Sequence, residues 1–264
     1  MRNGVWQGFV FSPYLFNLYV NDLNTKLISS GVGCHIANKA LNNFAYSDDL
    51  ALIAPSVPAM NELLRICNEF AIENYIKFNT SKSVAMLILP SGTSFTNTPN
   101  IYLSNCRLTF VNKFKYLGHF INSNFTDDDD IARERHRLCA AGNMLVRKYK
   151  FCSEEVKILL FKTYIYPMYC ACLWSSFNVE NLRRLKVVYN TVMRKLIGLP
   201  PWHSAREMFT RLNLCTFDEQ LRLSSYRFMS RLDQVPNSNI YVLESSDARV
   251  VSRTHRRWMA ILST

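Results

Sequence analysis

The sequence lacks a C-x-x-C pair, a long uninterrupted apolar run and a recognisable secretory leader. Its eight cysteines are scattered and supply no C-x-x-C pair for a zinc knuckle, and free thiols in a reducing compartment fit this pattern best. Cys170 and Cys172 lie in an apolar aromatic stretch, which favours small buried side chains over half of a zinc site. The longest apolar stretch, residues 158–174, contains Lys162 and Pro167 and is too short to span a bilayer. We therefore expect an intracellular protein, cytoplasmic or nuclear, with no membrane partner.

Acidic residues are scarce in the second half of the chain. Residues 131–264 hold 22 Lys and Arg against 10 Asp and Glu, whereas residues 1–130 hold 9 against 10. With 48% hydrophobic and 13% aromatic residues, the chain can form a core, which excludes a disordered tail. The basic half indicates a polyanionic partner. Nucleic acid is the simplest one, and an anionic membrane surface is the weaker alternative.

Two adjacent carboxylates, Asp48 and Asp49, lie between two short apolar segments, residues 44–46 and 50–54. This arrangement predicts a β-hairpin with the acids at its tip. Adjacent like charges repel, and a divalent cation that offsets the repulsion would explain why they are together. Asp is also a common turn residue, and for this stretch alone an ordinary surface turn is the stronger interpretation.

A glycine-flanked loop precedes a predicted helix at the start of the sequence. Gly4 and Gly8 enclose a three-residue segment, and Ser12 as a cap followed by Pro13 predicts a helix that ends near Gly31. The predicted apolar stripe of this helix is Leu15, Phe16, Tyr19, Leu23 and Leu27. The amides of such a loop, directly before a helix N-terminus, could bind an anion or the edge of a nucleotide. On these residues alone an ordinary glycine loop is favoured.

Together, these two features resemble the reverse transcriptases, and among them those of LINE-like, non-LTR retrotransposons. Residues 4–8 and the following helix resemble the family's glycine-glutamine-glycine loop and palm helix, and residues 46–49, Tyr-Ser-Asp-Asp, resemble its catalytic hairpin. The order and spacing of the motifs match as well. The sequence departs from the family pattern at Trp6, where a basic residue is usual, at residues 9–11, and at Ser47, where alanine is usual.

The resemblance implies roles for several residues. Gln7, Gly8 and Tyr46 would bind the incoming nucleotide or template. Asp48 and Asp49 would hold Mg²⁺, with Asp48 the more direct ligand. The implied reaction is RNA-directed DNA synthesis, in which two Mg²⁺ ions assist attack of a primer 3′-hydroxyl on a deoxynucleoside triphosphate. The implied partners are an RNA template with a DNA primer, or another nucleic-acid duplex.

After the hairpin, apolar residues that follow Pro58 fall on one helical stripe and predict a second helix: Met60, Leu63, Leu64, Cys67, Phe70 and Ala71. Further matches to the family follow downstream. A loop at residues 76–83 leads into an apolar run at residues 84–89, which predicts a buried strand. The resemblance implies that Lys82 in this loop lies near the leaving pyrophosphate and stabilises its charge, and a solvated loop lysine is the alternative. Two more strands are predicted, at residues 101–110 and 114–121.

The second of these strands contains Leu117 and Gly118. They resemble the family's primer-grip pair, whose glycine allows close approach of the primer backbone. The adjacent His119 is interpreted as a surface or packed histidine. Residues 127–130 are four successive aspartates, and because carboxylates favour a helix N-terminus, a solvated helix start is preferred to a cation site.

The remainder of the chain is predicted to be helical. Apolar periodicity predicts helices over residues 131–150, 154–173, 182–198 and 203–232. In the family, this region is a thumb that clasps the template–primer duplex through its phosphates. The nucleic-acid-binding cations on the third helix would be Arg183, Arg184, Lys186, Arg194 and Lys195. The alternative is that these cations only solubilise the helices.

We therefore predict an α+β chain with three parts. Residues 1–125 are a partial polymerase palm, an antiparallel sheet with packed helices; residues 126–235 are an all-helical, thumb-like basic region; and residues 236–264 are a basic C-terminal tail. The fingers and the strand with the first catalytic aspartate are missing before the glycine loop, so we expect the chain to be inactive by itself. Two alternatives stay open: a non-catalytic nucleic-acid-binding protein, and a helical interaction module or retroelement remnant without function.

Overall fold

The structure, a computed structural model, describes residues 10–36, 39–89 and 97–234. The loop residues Gln7 and Gly8 and the predicted C-terminal tail lie outside the described residues. Within the described ranges, no helix combines the length and apolar character needed to cross a membrane.

The chain divides into two compact units, Met1–Asn112 and Lys113–Thr264. The first contains two helices and eight short strands among its described residues, and the second contains one hairpin followed by helices. The predicted α+β class is therefore confirmed. The division of the chain into palm, thumb and tail stays a prediction.

The first unit is built on α1 (Ser12–Ser29) and α2 (Val57–Glu73). Each carries a proline in its first turn, where the missing N–H is not needed. Ser56 caps α2 by accepting a hydrogen bond from Ala59 N at 3.4 Å. In α1, by contrast, Ser12 is the first helical residue rather than the predicted cap.

The core of the first unit lies between these helices. Leu23 and Leu27 of α1 are buried against the apolar face of α2, whose members are Leu63, Ile66, Cys67 and Phe70. This confirms the predicted periodicity of α2. In α1 only the second half of the predicted stripe is buried, because Leu15 and Tyr19 remain about half exposed.

The strands of the first unit form separate two-stranded ladders. The antiparallel pairs are β1 (His35–Ile36) with β2 (Lys39–Ala40), β3 (Asn43–Tyr46) with β4 (Asp49–Leu52), and β6 (Tyr102–Leu103) with β7 (Cys106–Arg107). The remaining pair, β5 (Val84–Ala85) with β8 (Thr109–Phe110), is parallel. Among the described residues, the predicted antiparallel sheet is therefore found only as short ladders.

Two strand predictions are wrong in extent. Residues 84–89 form a strand only at β5, where Val84 is exposed, so the predicted buried strand is not present. Residues 101–110 are broken into three short strands. The first break is a turn in which Ser104 and Asn105 have φ of +49° and +62°, the positive values that tight hairpin turns require.

The second unit opens with a hairpin, β9 (Lys113–Tyr116) and β10 (His119–Asn122), where one strand was predicted. The helices that follow are α3 (Asp128–Lys148), α4 (Glu154–Tyr164), α5 (Val179–Ile197), α6 (Ala205–Arg211) and α7 (Phe217–Asp233). A short 3₁₀ helix, Ala171–Leu173, lies between α4 and α5.

The predicted helices at residues 131–150 and 182–198 are confirmed, and the other two are wrong in extent. The helix predicted over residues 154–173 ends at Tyr164, before Pro167, which cannot donate a helical hydrogen bond. The helix predicted over residues 203–232 is two helices. They are separated at a turn in which Asn213 has φ of +50°.

The core of the second unit forms where α3 packs on α5. Gly142 allows the close approach, because a Cβ there would lie 2.3 Å from Val192 Cγ2. Large aromatic side chains complete the core: Phe161, Trp174, Tyr189, Phe209 and Phe217. Gly198, with φ of +79°, ends α5 as predicted.

Candidate active site

The hairpin of β3 and β4, which carries the two aspartates and is called the first hairpin, is anchored by Asn42, a fully buried residue. Its Nδ2 donates to the carbonyl oxygens of Leu27, at 2.6 Å, and Val32, at 2.7 Å, and so satisfies both amide hydrogens. Gly33 makes room for it: φ is +108°, and a Cβ at this position would lie 2.4 Å from Asn42 Cβ. The start of β3 is thereby fixed to the end of α1.

The predicted hairpin is confirmed, with Tyr46 paired to Asp49 and a turn formed by Ser47 and Asp48. Ser47 has φ of +53°, as the first position of a two-residue hairpin turn requires. A residue with a side chain pays roughly 1 kcal/mol for this conformation. One aspartate therefore lies in the turn, and the other begins β4.

The two faces of the hairpin differ. Leu50 and Leu52 of β4 pack against the core of the first unit. Because side chains alternate along a strand, Asp49 points to the opposite face, as does its partner Tyr46, which is 64% exposed. Asp48 and Asp49 are both exposed, and no side chain in the described part of the chain pairs with either carboxylate.

This pair of carboxylates suits Mg²⁺. Protein sites for Mg²⁺ commonly supply one or two carboxylates and leave the other positions to water and substrate phosphates. Across residues 10–36, 39–89 and 97–234, no group of three His, Cys, Asp or Glu side chains is arranged to hold a metal ion. The hairpin tip can therefore supply two ligands, and the rest of a coordination shell must come from other groups.

Lys82 lies in a turn ordered by Asn79. The Lys82 amide donates to Asn79 O at 3.1 Å, and the hydroxyls of Ser81 and Ser83 also donate to Asn79. The lysine side chain is exposed. The strand after this turn, β5, pairs with β8 and not with the aspartate hairpin, so the turn of Lys82 leads into a different ladder from the one that carries the aspartates.

The predicted primer-grip pair, Leu117 and Gly118, forms the turn of the hairpin of β9 and β10, the second hairpin. The two residues have φ of +47° and +88°. Tyr169 covers this turn. Its hydroxyl donates to Leu117 O at 2.7 Å, and a Cβ on Gly118 would lie 3.0 Å from Tyr169 Cε1. The space beside Gly118 that a side chain would need is therefore occupied by Tyr169.

The prediction of a solvated acidic helix start is wrong for Asp130, which is fully buried. Its carboxylate accepts hydrogen bonds from Phe120 N at 3.1 Å, Arg133 Nε at 2.6 Å and Trp174 Nε1 at 2.8 Å. A buried carboxylate is tolerated only with such partners. Arg133 also contacts Glu134, a second fully buried acid, at 3.2 Å.

The other three aspartates of the run are bonded as well. Their partners are the amides of Ser175 and Ser176 for Asp127, the Asn178 amide and Asn181 side chain for Asp128, and Lys113 for Asp129. Asp127 is mostly buried too. The run therefore joins the second hairpin, α3 and the segment that leads into α5.

His119 is packed, as predicted, and 16% of its side chain is exposed. Its Nδ1 lies 3.0 Å from Asp130 Oδ2 without hydrogen-bond alignment, so the contact is chiefly an ion pair. Burial alone would lower the pKa of His119, but the contacts with Asp130 and Cys170 outweigh it and raise the pKa to about 9. Burial likewise opposes ionisation of Asp130, yet His119, Arg133 and Trp174 hold its pKa well below the usual range.

The predicted nucleic-acid-binding cations of α5 differ in their surroundings. Arg183 and Arg184 both bond to Glu180, and these bonds lower the pKa of Glu180 to about 2. Lys186 lies 2.5 Å from Asp218, and Arg194 Nε donates to the His203 carbonyl at 2.9 Å. Lys195 is exposed and has no bonded partner within the described ranges. The structure therefore does not present the five cations as one free basic face.

A shallow groove of about 560 Å³ runs between α3 and α5. Arg135, Arg183 and Arg184 line it, together with Glu180 and small or apolar side chains. Exposed ion pairs within one helix contribute only about 0.3–0.5 kcal/mol, so Arg183 and Arg184 can exchange Glu180 for another anion at little cost. The sequence does not single out Arg135, because only packing places α3 beside α5.

Residues 1–121 match the family description "Reverse transcriptase (RNA-dependent DNA polymerase)". The chain is 23% identical over 273 residues to the RNA-directed DNA polymerase from mobile element jockey of Drosophila funebris, covering 96% of this chain and 28% of that protein. It is 32% identical over 127 residues to the retrovirus-related Pol polyprotein from type-1 retrotransposable element R2 of Popillia japonica, covering 46% and 18%.

A third relative is the probable RNA-directed DNA polymerase from transposon BS of Drosophila melanogaster, 23% identical over 98% of this chain and 29% of that protein. The chain thus spans less than a third of the length of the curated relatives that it matches. The predicted resemblance to polymerases of LINE-like, non-LTR mobile elements is confirmed. The segment that carries the Tyr-Ser-Asp-Asp hairpin lies within the match to the reverse transcriptase family.

Proposed function

We propose that the chain is a segment of an RNA-directed DNA polymerase of a mobile element. The observation that carries the proposal is the exposed tip of the β3–β4 hairpin, where Tyr46, Asp48 and Asp49 lie together within the family match on a hairpin bonded to α1. In this proposal residues 1–125 act as part of the palm and residues 126–235 as the thumb.

Asp48 and Asp49 supply two carboxylates toward Mg²⁺, and a further ligand comes from elsewhere in the longer polymerase. When bound, the metal stabilises charge on the triphosphate and promotes ionisation of the primer 3′-hydroxyl. Tyr46 shares a face with Asp49 and contacts the nucleotide, as Gln7 and Gly8 do by family resemblance. Lys82 attracts the pyrophosphate group that leaves.

Primer extension on an RNA template with Mg²⁺ tests this proposal. Residues 1–121 should replace the matching segment of the Drosophila funebris jockey polymerase, because the chain alone is expected to be inactive. We expect the chimera to extend the primer and Asp48→Ala to abolish extension, since one metal ligand is lost. Asp22→Ala, which removes an exposed carboxylate in α1, is the matched control and should leave extension unchanged. Extension that survives Asp48→Ala would refute the site assignment.

A second function, duplex binding without catalysis, is favoured by the arginine-lined groove between α3 and α5. Phosphates would replace Glu180 at Arg183 and Arg184, with Arg135 as a third contact. Binding through phosphates releases counterions, so the affinity of the chain for an RNA–DNA duplex should fall steeply as salt rises. Affinity that is absent or independent of salt would exclude this function.

A further inference from the structure

The turn of the β9–β10 hairpin is fastened within the second unit from two sides. On one side, the Tyr169 hydroxyl donates to Leu117 O at 2.7 Å. On the other side, Asp130 Oδ1 accepts from Phe120 N at 3.1 Å, and its Oδ2 lies 3.0 Å from His119 Nδ1. The backbone on both flanks of this turn is therefore held by residues from α3 and from the segment after α4.

Tyr169 and Asp130 belong to one hydrogen-bond network, because Arg133 bonds to both of them. Its Nε donates to Asp130 Oδ1 at 2.6 Å, and its Nη2 donates to the Tyr169 carbonyl at 3.3 Å. Trp174 Nε1 holds the other carboxylate oxygen at 2.8 Å. Asp130 is completely buried, so its carboxylate has no freedom to follow a moving strand.

Such support matters because a two-stranded hairpin is marginally stable by itself. Its position must come from outside contacts. A backbone segment that binds nucleic acid also has to be held within about 0.5 Å of its working position. Gly118 fits this arrangement, because the Tyr169 ring fills the place of a side chain and a bulkier residue would push the ring away.

We propose that Tyr169 and Asp130 are positioning residues, which hold the turn of Leu117 and Gly118 in place for contact with the primer strand. The contact with the primer rests on the proposed function, whereas the fastening rests on the bonds described above. Neither residue touches the reacting atoms in this proposal. Both act through the turn.

The experiment compares Tyr169→Phe with Tyr164→Phe in the full chain. The first change removes only the hydroxyl that binds Leu117, and the second removes a hydroxyl that has no partner within the described ranges. Hydrogen exchange is measured for the peptide that covers residues 113–122, and affinity is measured with a fluorescently labelled RNA–DNA duplex. The unfolding midpoint is recorded for each protein.

We expect Tyr169→Phe to speed exchange in the hairpin, and to weaken duplex binding, by roughly threefold to tenfold, the worth of one hydrogen bond. The unfolding midpoint should fall by only about 2–4 °C, since one hydrogen bond is lost and the half-exposed Tyr169 ring remains. A residue with a purely structural role would move the midpoint and not the affinity. Tyr164→Phe should match the parent chain in all three measurements.

Equal exchange in the two variants would refute the fastening. Faster exchange with unchanged affinity would refute the contact between the turn and the primer. A parent chain that binds no duplex would overturn the proposed function instead, and exchange would still decide whether Tyr169 holds the turn.

Discussion

The first hairpin (β3–β4) and the second hairpin (β9–β10) are built alike, but the residues around their turns differ. Each has four-residue strands and a two-residue turn that follows a tyrosine, Tyr46 in the first and Tyr116 in the second. The first turn carries exposed carboxylates with no bonded partner within the described ranges. The second is covered by Tyr169 and fastened to Asp130.

This difference separates two uses of aspartate. A carboxylate that is to bind a metal must keep its lone pairs free, at the cost of contributing little to folding. A carboxylate that holds a fold together must be surrounded by donors, and it is then unavailable to a ligand. Asp48 and Asp49 meet the first condition, and Asp130 meets the second.

The largest expected effect comes from removing the buried carboxylate. Asp130→Ala should lower the free energy of unfolding by roughly 3–5 kcal/mol, because Arg133 and His119 would each lose their nearest counter-charge in a mostly buried site. Asp49→Ala, in the first hairpin, should change it by less than about 0.5 kcal/mol. Chemical denaturation of the full chain, followed by circular dichroism, measures both. Similar losses in the two variants would erase the distinction between the hairpins.

The second effect depends on pH. His119 has an ordinary pKa of 6.5 that is raised to about 9 in the folded chain, so the folded state binds the proton more tightly. The stabilisation is complete below pH 6.5 and is lost as the pH rises through 9. The charged or titratable groups around the ring are Asp127, Asp130, Arg133 and Cys170.

We expect the free energy of unfolding to fall by up to about 3 kcal/mol across this interval. His119→Asn should flatten the decline, because the titrating group is gone. His136→Asn, which changes an exposed histidine of α3, is the control and should keep the parent profile. A decline that persists in His119→Asn would assign it to another group.

The smallest effect distinguishes the two turns. Ser47→Gly should stabilise the chain by roughly 0.5–1 kcal/mol, since glycine tolerates the positive φ that serine adopts there. Gly118→Ala should instead destabilise it by roughly 1–3 kcal/mol, because the φ is positive and the Tyr169 ring must move. Thermal unfolding of both variants checks the opposite signs. A loss of stability in Ser47→Gly would show that the serine side chain stabilises the first turn.

Local patterns predicted much of the fold. The Ser-Pro start of α1, the apolar stripe of α2 and the glycine stop of α5 are written in residues that are neighbours in the chain. The same is true of the first hairpin, where turn residues separate apolar segments. Helix periodicity and turn chemistry act over a few residues, so a single sequence displays them.

Long-range partners could not be predicted in this way. Asp130 resembled a solvated helix start because two of its donors are distant in sequence, Phe120 lying 10 positions away and Trp174 lying 44. The five α5 cations appeared free for a similar reason, since Lys186 meets Asp218 only after α7 has packed. The metal assignment of Asp48 and Asp49 came from family resemblance and stays a prediction.

The run of four aspartates has a consequence for insertions and deletions. Successive side chains leave a helix about 100° apart, so Asp128, Asp129 and Asp130 at the start of α3 point in three directions, and each aspartate of the run, Asp127 included, meets its own partners. Loss of one residue would leave an acidic tract that looks almost the same in the sequence. It would also turn α3 by about 100° against its neighbours and send every carboxylate to the wrong partner. The four residues are chemically identical, but each position in the run has its own partners.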